Sequence, residues 1–335
     1  MIWRLTPVTT PRRNFARLCA LSVTAIAAFT ACVGAQAQAY PNRPIRWVVG
    51  YPPGGTTDIL ARIMAQRRSD KLGQQVVVEN KPGAGNNIGT EAVVKATPDG
   101  YTVLLVNPAN AINSTLYTNL SFDFLKDIAP VAGIVRVPNV METTMSLPVK
   151  TVAEFIAYAK ANPGKVVQAS SGSGTSVHLS GELFKSMAGI TMLHVPYKGA
   201  GPALIDLIAG QTHVMFDNLP SSIEHIKAGK LRALGVTTLK RNSQLPDVPS
   251  INDTVPGYEA SAWFGMGAPK GTPADIIAKL NKAMNDSLAE PATKAKLAEL
   301  GGDTIPGTPA EFGATHAMET EKWAKVVKSS GAKVE

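Results

Sequence analysis

Cysteine is nearly absent from this chain of 335 residues: the two that it has, Cys19 and Cys32, both precede Tyr40. The rest of the chain therefore offers no disulfide, no thiolate nucleophile and no cysteine metal site. The five histidines form neither an i, i+4 pair nor a His-Glu-x-x-His pattern, which excludes the common histidine metal motifs. We predict that the protein uses no metal and no cofactor.

Long uncharged apolar runs are also scarce. The one that stands out is residues 18–35, which follow Arg12, Arg13 and Arg17 and precede small-residue cleavage sites that end at Ala39. This order is typical of a secretory signal peptide, exported by the Sec route or, through Arg12-Arg13, by the twin-arginine route. Beyond the leader the chain has 29 basic residues (33 less the leader's four) against 25 acidic ones. This near balance, without a basic cluster, argues against a nucleic-acid partner.

Strand and helix patterns alternate through the rest of the chain, which predicts βαβ units and mostly parallel sheets. The alternation occurs twice, separated by a long β-rich run at residues 128–147 and followed by a second apolar run at residues 263–268. We interpret both runs as crossings between two α/β lobes that share a hinge. Residues 107–124 are expected to be irregular, and three C-terminal helices to pack on the first lobe. The predicted boundaries are 1–39 for the signal peptide, 40–141 and 262–335 for lobe 1, and 142–261 for lobe 2.

A turn of small residues separates a strand from a helix once in each lobe, at residues 50–58 and at residues 170–176. Gly54 and Gly55 have no Cβ, so that a ligand can approach the backbone. The N–H groups at a helix start lack internal partners, and the helix dipole adds positive charge there. Neither turn contains Lys or Arg. We therefore predict that the two turns hold a carboxylate from opposite sides of one cleft.

Three charged or polar positions near these turns allow more than one interpretation. A free Asp58 carboxylate would repel an anion, so it either caps the helix or accepts a hydrogen bond from a ligand or a water; we favour the second. Lys198 and Asp217-Asn218 follow strands of lobe 2 and are candidates for the same cleft. An exposed turn lysine would fit the sequence at Lys198 equally well.

A secreted serine-type hydrolase is the alternative function. It would use Ser171 or Ser173 as the nucleophile and His178, the histidine nearest in sequence, as the base. The Gly-x-Ser-x-Gly pattern is missing, however, because residue 169 is Ala. No triad partner is evident, so we regard binding as the better interpretation.

Five motifs occur in one order along the chain: Tyr51-Pro52-Pro53-Gly54-Gly55-x-x-Asp58, Glu79-Asn80-Lys81-Pro82-Gly83-Ala84-Gly85, Ser171-Gly172-x-Gly174-Thr175-x-x-His178-Leu179, Val195-Pro196-Tyr197-Lys198-Gly199 and Ala233-Leu234-Gly235-Val236-Thr237. From about Tyr40 to the C-terminus the chain thereby resembles the Bug family, the extracytoplasmic solute receptors of tripartite tricarboxylate transporters. The resemblance implies a periplasmic binding protein of type II, not an enzyme, whose two lobes close like a Venus flytrap. Its ligand would be a small carboxylate: a di- or tricarboxylate, an aromatic acid or an acidic amino acid.

The resemblance also implies partners and site residues. The receptor would deliver its ligand to membrane permease subunits, and we expect it to be a monomer. Residues 137–144 depart from the apolar strand that the family leads one to expect, which leaves the pocket rim near Glu142 undetermined. The positions that match the family's ligand-binding motifs are Tyr51, Gly54, Gly55, Thr56 and Asp58 in one lobe, and Ser171, Gly174, Thr175, Ser176 and, from a weaker match, Asp217 in the other.

Gly55→Val places a branched side chain where the ligand is expected to approach the backbone. We expect this variant to lose carboxylate binding while its melting temperature changes little. Titration calorimetry and thermal melts separate the two effects. A loss of stability as large as the loss of binding free energy would contradict the assignment.

Overall fold

The computed structural model describes residues 1–4 and 40–334, and the chain from Arg43 onward forms one compact unit. Most of the predicted signal peptide, with its cleavage site, lies outside the described residues and stays a prediction. In the described part of the chain, no helix is both long enough and apolar enough to cross a membrane.

Strands and helices alternate as the sequence predicts. The strands of the described residues are β1 (Ile45–Val49), β2 (Val76–Asn80), β3 (Thr102–Val106), β4 (Ile128–Thr144), β5 (Val167–Ser170), β6 (Leu193–Pro196), β7 (Val214–Asn218), β8 (Leu231–Val236), β9 (Ser261–Pro269) and β10 (Asp303–Thr304). Their α-helices are α1 (Thr56–Leu72), α2 (Asn87–Val94), α3 (Pro108–Leu116), α4 (Phe124–Asp127), α5 (Val152–Ala161), α6 (Ser176–Ala188), α7 (Ala200–Ile208), α8 (Leu219–Lys227), α9 (Ala274–Ala289), α10 (Pro291–Glu299) and α11 (Pro309–Ser330).

The strands form two halves with the same order. In the first half the order is β2-β1-β3-β9-β4, and in the second it is β6-β5-β7-β4-β8. Within each half the first three strands are parallel, and the fourth is an antiparallel strand that comes from elsewhere in the chain. The structure thus has the predicted two-lobed α/β architecture.

The strand β4 belongs to both halves. Its residues Ile128 to Pro138 pair with β9, and its residues Asn139 to Thr144 pair with β7 and β8. The change of partners of β4, between Pro138 and Asn139, is close to the proposed lobe boundary at 141/142. The start of β9 at Ser261 is close to the one at 261/262. Both boundaries remain a proposal. β4 is continuous although it contains Pro130 and Pro138, and a register shift beside Pro130 accommodates the first of them.

One expectation was wrong, and another covered only part of the packing. Residues 107–124 are not irregular throughout, because α3 begins at Pro108 with a reciprocal capping box between Asn107 and Asn110. The C-terminal helices also do not pack on the first lobe alone. The long helix α11 contacts α3 in the first half, α6 in the second, and β4 between them. The ring of Phe312 in α11 lies edge-on to that of Trp263 in β9, with ring centroids 5.9 Å apart.

Candidate functional site

Five helices begin at one cavity between the two halves. The carboxyl ends of β1, β3, β5, β6 and β7 lead into α1, α3, α6, α7 and α8, and the first residue or the N-cap of each helix lines the cavity. Each of these helices has nine or more residues. Their dipoles therefore place partial positive charge around the same small volume, which favours an anion.

The helix starts differ in how many N–H groups they leave free. The side chain of Asn107 accepts from the N–H of Ala109 at α3, and that of Thr175 accepts from the N–H of His178 at α6. At α1, α7 and α8 the described residues supply no side-chain cap. The first N–H groups of these three helices are thus the donors that a ligand can use.

The cavity brings together most of the residues that the sequence singles out. Its volume is about 30 Å³, and none of its lining residues in the described chain is Lys or Arg. A Cβ at Gly55 would lie 3.6 Å from that of Ala200, an ordinary contact. The residues of the predicted binding set that line it are Tyr51, Gly55, Thr56, Ser171, Thr175, Ser176 and Asp217, together with the further candidate Asn218. The additional ones are Pro52, Thr57, Asn107, Pro108, Ala200 and Phe264.

Asp58 lies outside this lining, and its carboxylate has protein partners. It accepts from the N–H of Gly54 at 3.1 Å, from Asn80 at 3.0 Å and from Arg62, with which it forms an ion pair at 2.9 Å. Burial alone would raise the pKa of Asp58, but the hydrogen bonds from Arg62, Asn80 and Gly54 outweigh it and lower the pKa. The carboxylate thus holds the glycine turn before α1 and does not cap the helix; its contact with a ligand or a water stays a prediction.

Gly54 and Gly174 also lie outside the lining, and both have positive φ, at 91° and 82°. Gly174 belongs to a close contact between the halves, because a Cβ there would lie 2.1 Å from Oδ1 of Asn113 in α3. Its residue type is therefore explained by backbone conformation and packing. Direct ligand contact by these two glycines stays a prediction.

A larger cavity of about 450 Å³ adjoins the first and shares Tyr51, Pro52 and Ser171 with it. Lys198 lines this outer cavity rather than the inner one. Asn86 lines it too, and within the described chain both polar atoms of this buried side chain lack a hydrogen-bond partner. No sequence pattern points to Phe264 of the inner cavity, because this residue of β9 reaches the site only through the fold.

A pair of buried acids lies at the inner cavity. Asp217 lines it, and Glu142 of β4 is connected to Asp217 by Ser222, whose Oγ lies 2.7 Å from Glu142 Oε1 and 2.9 Å from Asp217 Oδ2. Burial, reinforced by the charge of Asp217, raises the pKa of Glu142 well above its ordinary value. Burial also raises the pKa of Asp217, to about 6, although hydrogen bonds from Ser221, Ser222 and the N–H of Asn218 oppose the shift.

The raised pKa of Glu142 gives folding a pH dependence. When a carboxyl has a higher pKa in the folded state than in the unfolded state, about 4.3, the folded protein loses stability as pH rises between the two values. The free energy of unfolding falls by up to about 1.4 kcal/mol per pH unit in this range. Glu142→Gln removes this loss. We expect its melting temperature, relative to wild type, to increase between pH 5 and pH 8. The control Glu224→Gln, at an exposed position of α8, should follow the wild type; identical profiles for both variants would contradict the assignment.

The hydrolase alternative finds no support in the positions of its residues. Ser173 Oγ is buried and finds no hydrogen-bond partner in the part of the chain that the structure describes, and Nδ1 of His178 accepts from the N–H of Gly174 at 3.3 Å. The predicted base is therefore bonded to the backbone and does not activate Ser173.

Comparison with known proteins agrees with this geometry. Residues 60–332 match the family described as tripartite tricarboxylate transporter family receptor. Rpa4515 of R. palustris, solved with adipate, is 40% identical with a TM-score of 0.86 over 88% of this chain and 100% of its own. The periplasmic binding protein BugD is 35% identical, with a TM-score of 0.85 over 88% and 100%. MatC of Rhodopseudomonas palustris, solved with malate, is 30% identical, with a TM-score of 0.83 over 86% and 100%.

These structures are solute-binding proteins, which overturns the hydrolase alternative, and they share the two-lobed fold over almost their whole length. The chain belongs to the tripartite tricarboxylate transporter receptors, the Bug family of periplasmic solute-binding proteins.

Proposed function

We propose that this protein captures a small carboxylate in the cavity between its lobes and delivers it to the membrane permease subunits of a tripartite tricarboxylate transporter. The observation that carries the proposal is the convergence of five helix starts on a cavity lined, within the described chain, by no cationic side chain. Such a site stabilises an anion by N–H groups and helix dipoles. The adipate and malate bound to Rpa4515 and MatC are the kind of ligand that it suits.

The ten residues matched to the family's motifs form the proposed ligand-binding set. Those that line the inner cavity, apart from the acidic Asp217, would bind a carboxylate group of the ligand, while Gly54, Gly174 and Asp58 would hold the two turns in shape. The inner cavity of about 30 Å³ has room for little more than a water. The rest of the ligand would therefore extend into the outer cavity, toward Lys198.

Closure of the lobes is part of the proposed mechanism. The hydroxyls of Thr56 in α1 and Ser221 in α8 lie 3.0 Å apart, so that a hydrogen bond joins the two halves beside the cavity. A receptor that closes around its ligand needs such contacts to shift the equilibrium toward the closed state. We also propose that the leader, residues 1–39, directs export to the periplasm and that the receptor acts as a monomer.

Capture is tested by thermal melts with di- and tricarboxylates, aromatic acids and acidic amino acids. A ligand at about 100 times its Kd stabilises the folded state by about 2.7 kcal/mol, or roughly 5 °C. We expect such a shift for at least one acid. The matched control is the neutral diol of the same length, for example 1,4-butanediol against succinate, which should give none because the helix starts favour charge. An equal shift with acid and diol, or no shift with any acid, would refute the proposal.

A further inference from the structure

The proton count at the buried pair of acids fixes their charges. A hydroxyl has one proton to donate, but Ser222 Oγ is within hydrogen-bond distance of an oxygen of Glu142 and of an oxygen of Asp217. If both carboxyls were ionised, one of these contacts would join two acceptors without a proton between them. One carboxyl is therefore protonated and donates to Ser222.

The distribution of donors shows which carboxyl holds the proton. Asp217 Oδ2 is close to the hydroxyl of Ser222 and to that of Ser221, which is also within hydrogen-bond distance of the carbonyl oxygen of Asn218. The N–H of Asn218 is a further donor to the carboxylate. Glu142 has the Ser222 contact alone among its described side-chain hydrogen bonds, and its Oε2 is buried without a partner. Hydrogen bonds to the charged form favour ionisation. The proton thus belongs to Glu142, which donates to Ser222, which donates to an ionised Asp217.

Nothing else in the described chain neutralises the charge of Asp217. The strands β5 and β9 bring no charged side chain. Other charged or titratable groups lie on the helices and strands around the site. Each of them either has a different hydrogen-bond partner or is at least partly exposed, and none forms a described hydrogen bond or ion pair with Glu142 or Asp217. These are Asp58 and Arg62 on α1, Arg136 on β4, His178, Glu182 and Lys185 on α6, Asp206 on α7, Glu224, His225 and Lys227 on α8, and Arg232 on β8.

One oxygen of Asp217 remains without a donor. Asp217 is 1% exposed, its Oδ1 has no hydrogen-bond partner among the described residues, and the residue lines the inner cavity beside Thr56 and Ser176. Burying an unpaired carboxylate oxygen is costly, so a ligand that donates to it gains affinity. A ligand that brings only a second anion to this place is repelled.

We propose that Asp217 is a specificity-determining residue, which selects carboxylates that carry a hydroxyl or ammonium group over acids of equal length without such a donor, and that protonated Glu142 positions it through Ser222. The inference rests on the proposed function, since it concerns the ligand of the same cavity. It names the ligand class: hydroxy or amino acids with at least one further carboxylate.

The test compares acids of equal length by titration calorimetry at pH 7.5: succinate, malate and aspartate, then glutarate, 2-hydroxyglutarate and glutamate. We expect a donor-bearing acid to bind at least tenfold more tightly than the donor-free acid of its series. Asp217→Asn keeps the shape but removes the charge, and should reduce this ratio to within about threefold. Thermal melts of the unliganded variants at the same pH verify folding.

The pH dependence provides a readout that a purely structural role would not change. As pH falls from 7.5 to 5.5, Asp217 takes up a proton and no longer repels a second anion. In the wild type, the ratio of the affinities for donor-bearing and donor-free acids should therefore decrease, with a midpoint near the Asp217 pKa of about 6. The ligands themselves also titrate in this range, equally for the wild type and for Asp217→Asn. The affinity ratio measured with Asp217→Asn therefore serves as the reference for ligand titration. In Glu142→Gln, a neutral amide donor replaces the neutral carboxyl donor. The midpoint of the pH dependence should therefore stay within about half a pH unit of the wild-type midpoint.

The outcomes separate the two proposals. If acids bind but the wild type shows no preference, or if Asp217→Asn keeps it, the selectivity role is refuted while carboxylate capture stands. A midpoint that falls by a unit or more in Glu142→Gln would show that Glu142 is charged in the wild type and would overturn its role. Failure of every acid to bind would refute capture and, with it, this inference.

Discussion

The pairing of β4 with strands of both halves is the constraint on which the site depends. This strand pairs with β9 in the first half and with β7 and β8 in the second, and it continues from one sheet into the other without a break. This shared backbone ladder fixes the sheets so that the carboxyl ends of β1 and β3 face those of β5, β6 and β7. Ligands in open α/β sheets bind outside the carboxyl ends of strands, and here two such edges enclose one volume.

Two opposed electrostatic contributions meet in that volume. The helix starts supply diffuse positive charge from the backbone, which is insensitive to pH and tolerant of different carboxylates. The acid pair at β4 and β7 supplies a localised negative charge, whose strength depends on where one proton resides. A general affinity for carboxylates and a selection among them can therefore come from different parts of the chain. This arrangement suits a family that keeps one fold for many solutes.

The sequence predicted the parts of this site that local chemistry determines. Glycine turns after strands and a threonine before a helix identify βα connections, and residues from both turns indeed line the cavity. It failed at the helix α3, which is rich in asparagine and serine, both weak helix formers, and depends on its capping box. It also failed where distant contacts decide. Asp58 is held partly by Asn80, far along the chain, and Glu142 meets the site only because β4 lies beside β7.

The terminal helix α11 contacts α3 in one half and α6 in the other, although it lies outside both turns. Any motion that separates the lobes must therefore slide or uncover part of the contact between α11 and α6. The free-energy difference between the open and the closed receptor then depends in part on how much of this helix contact is buried in each state. The ligand does not touch this surface. Because apparent affinity is scaled by the population of the binding-competent state, the C-terminal helix can tune how tightly the cavity holds its solute.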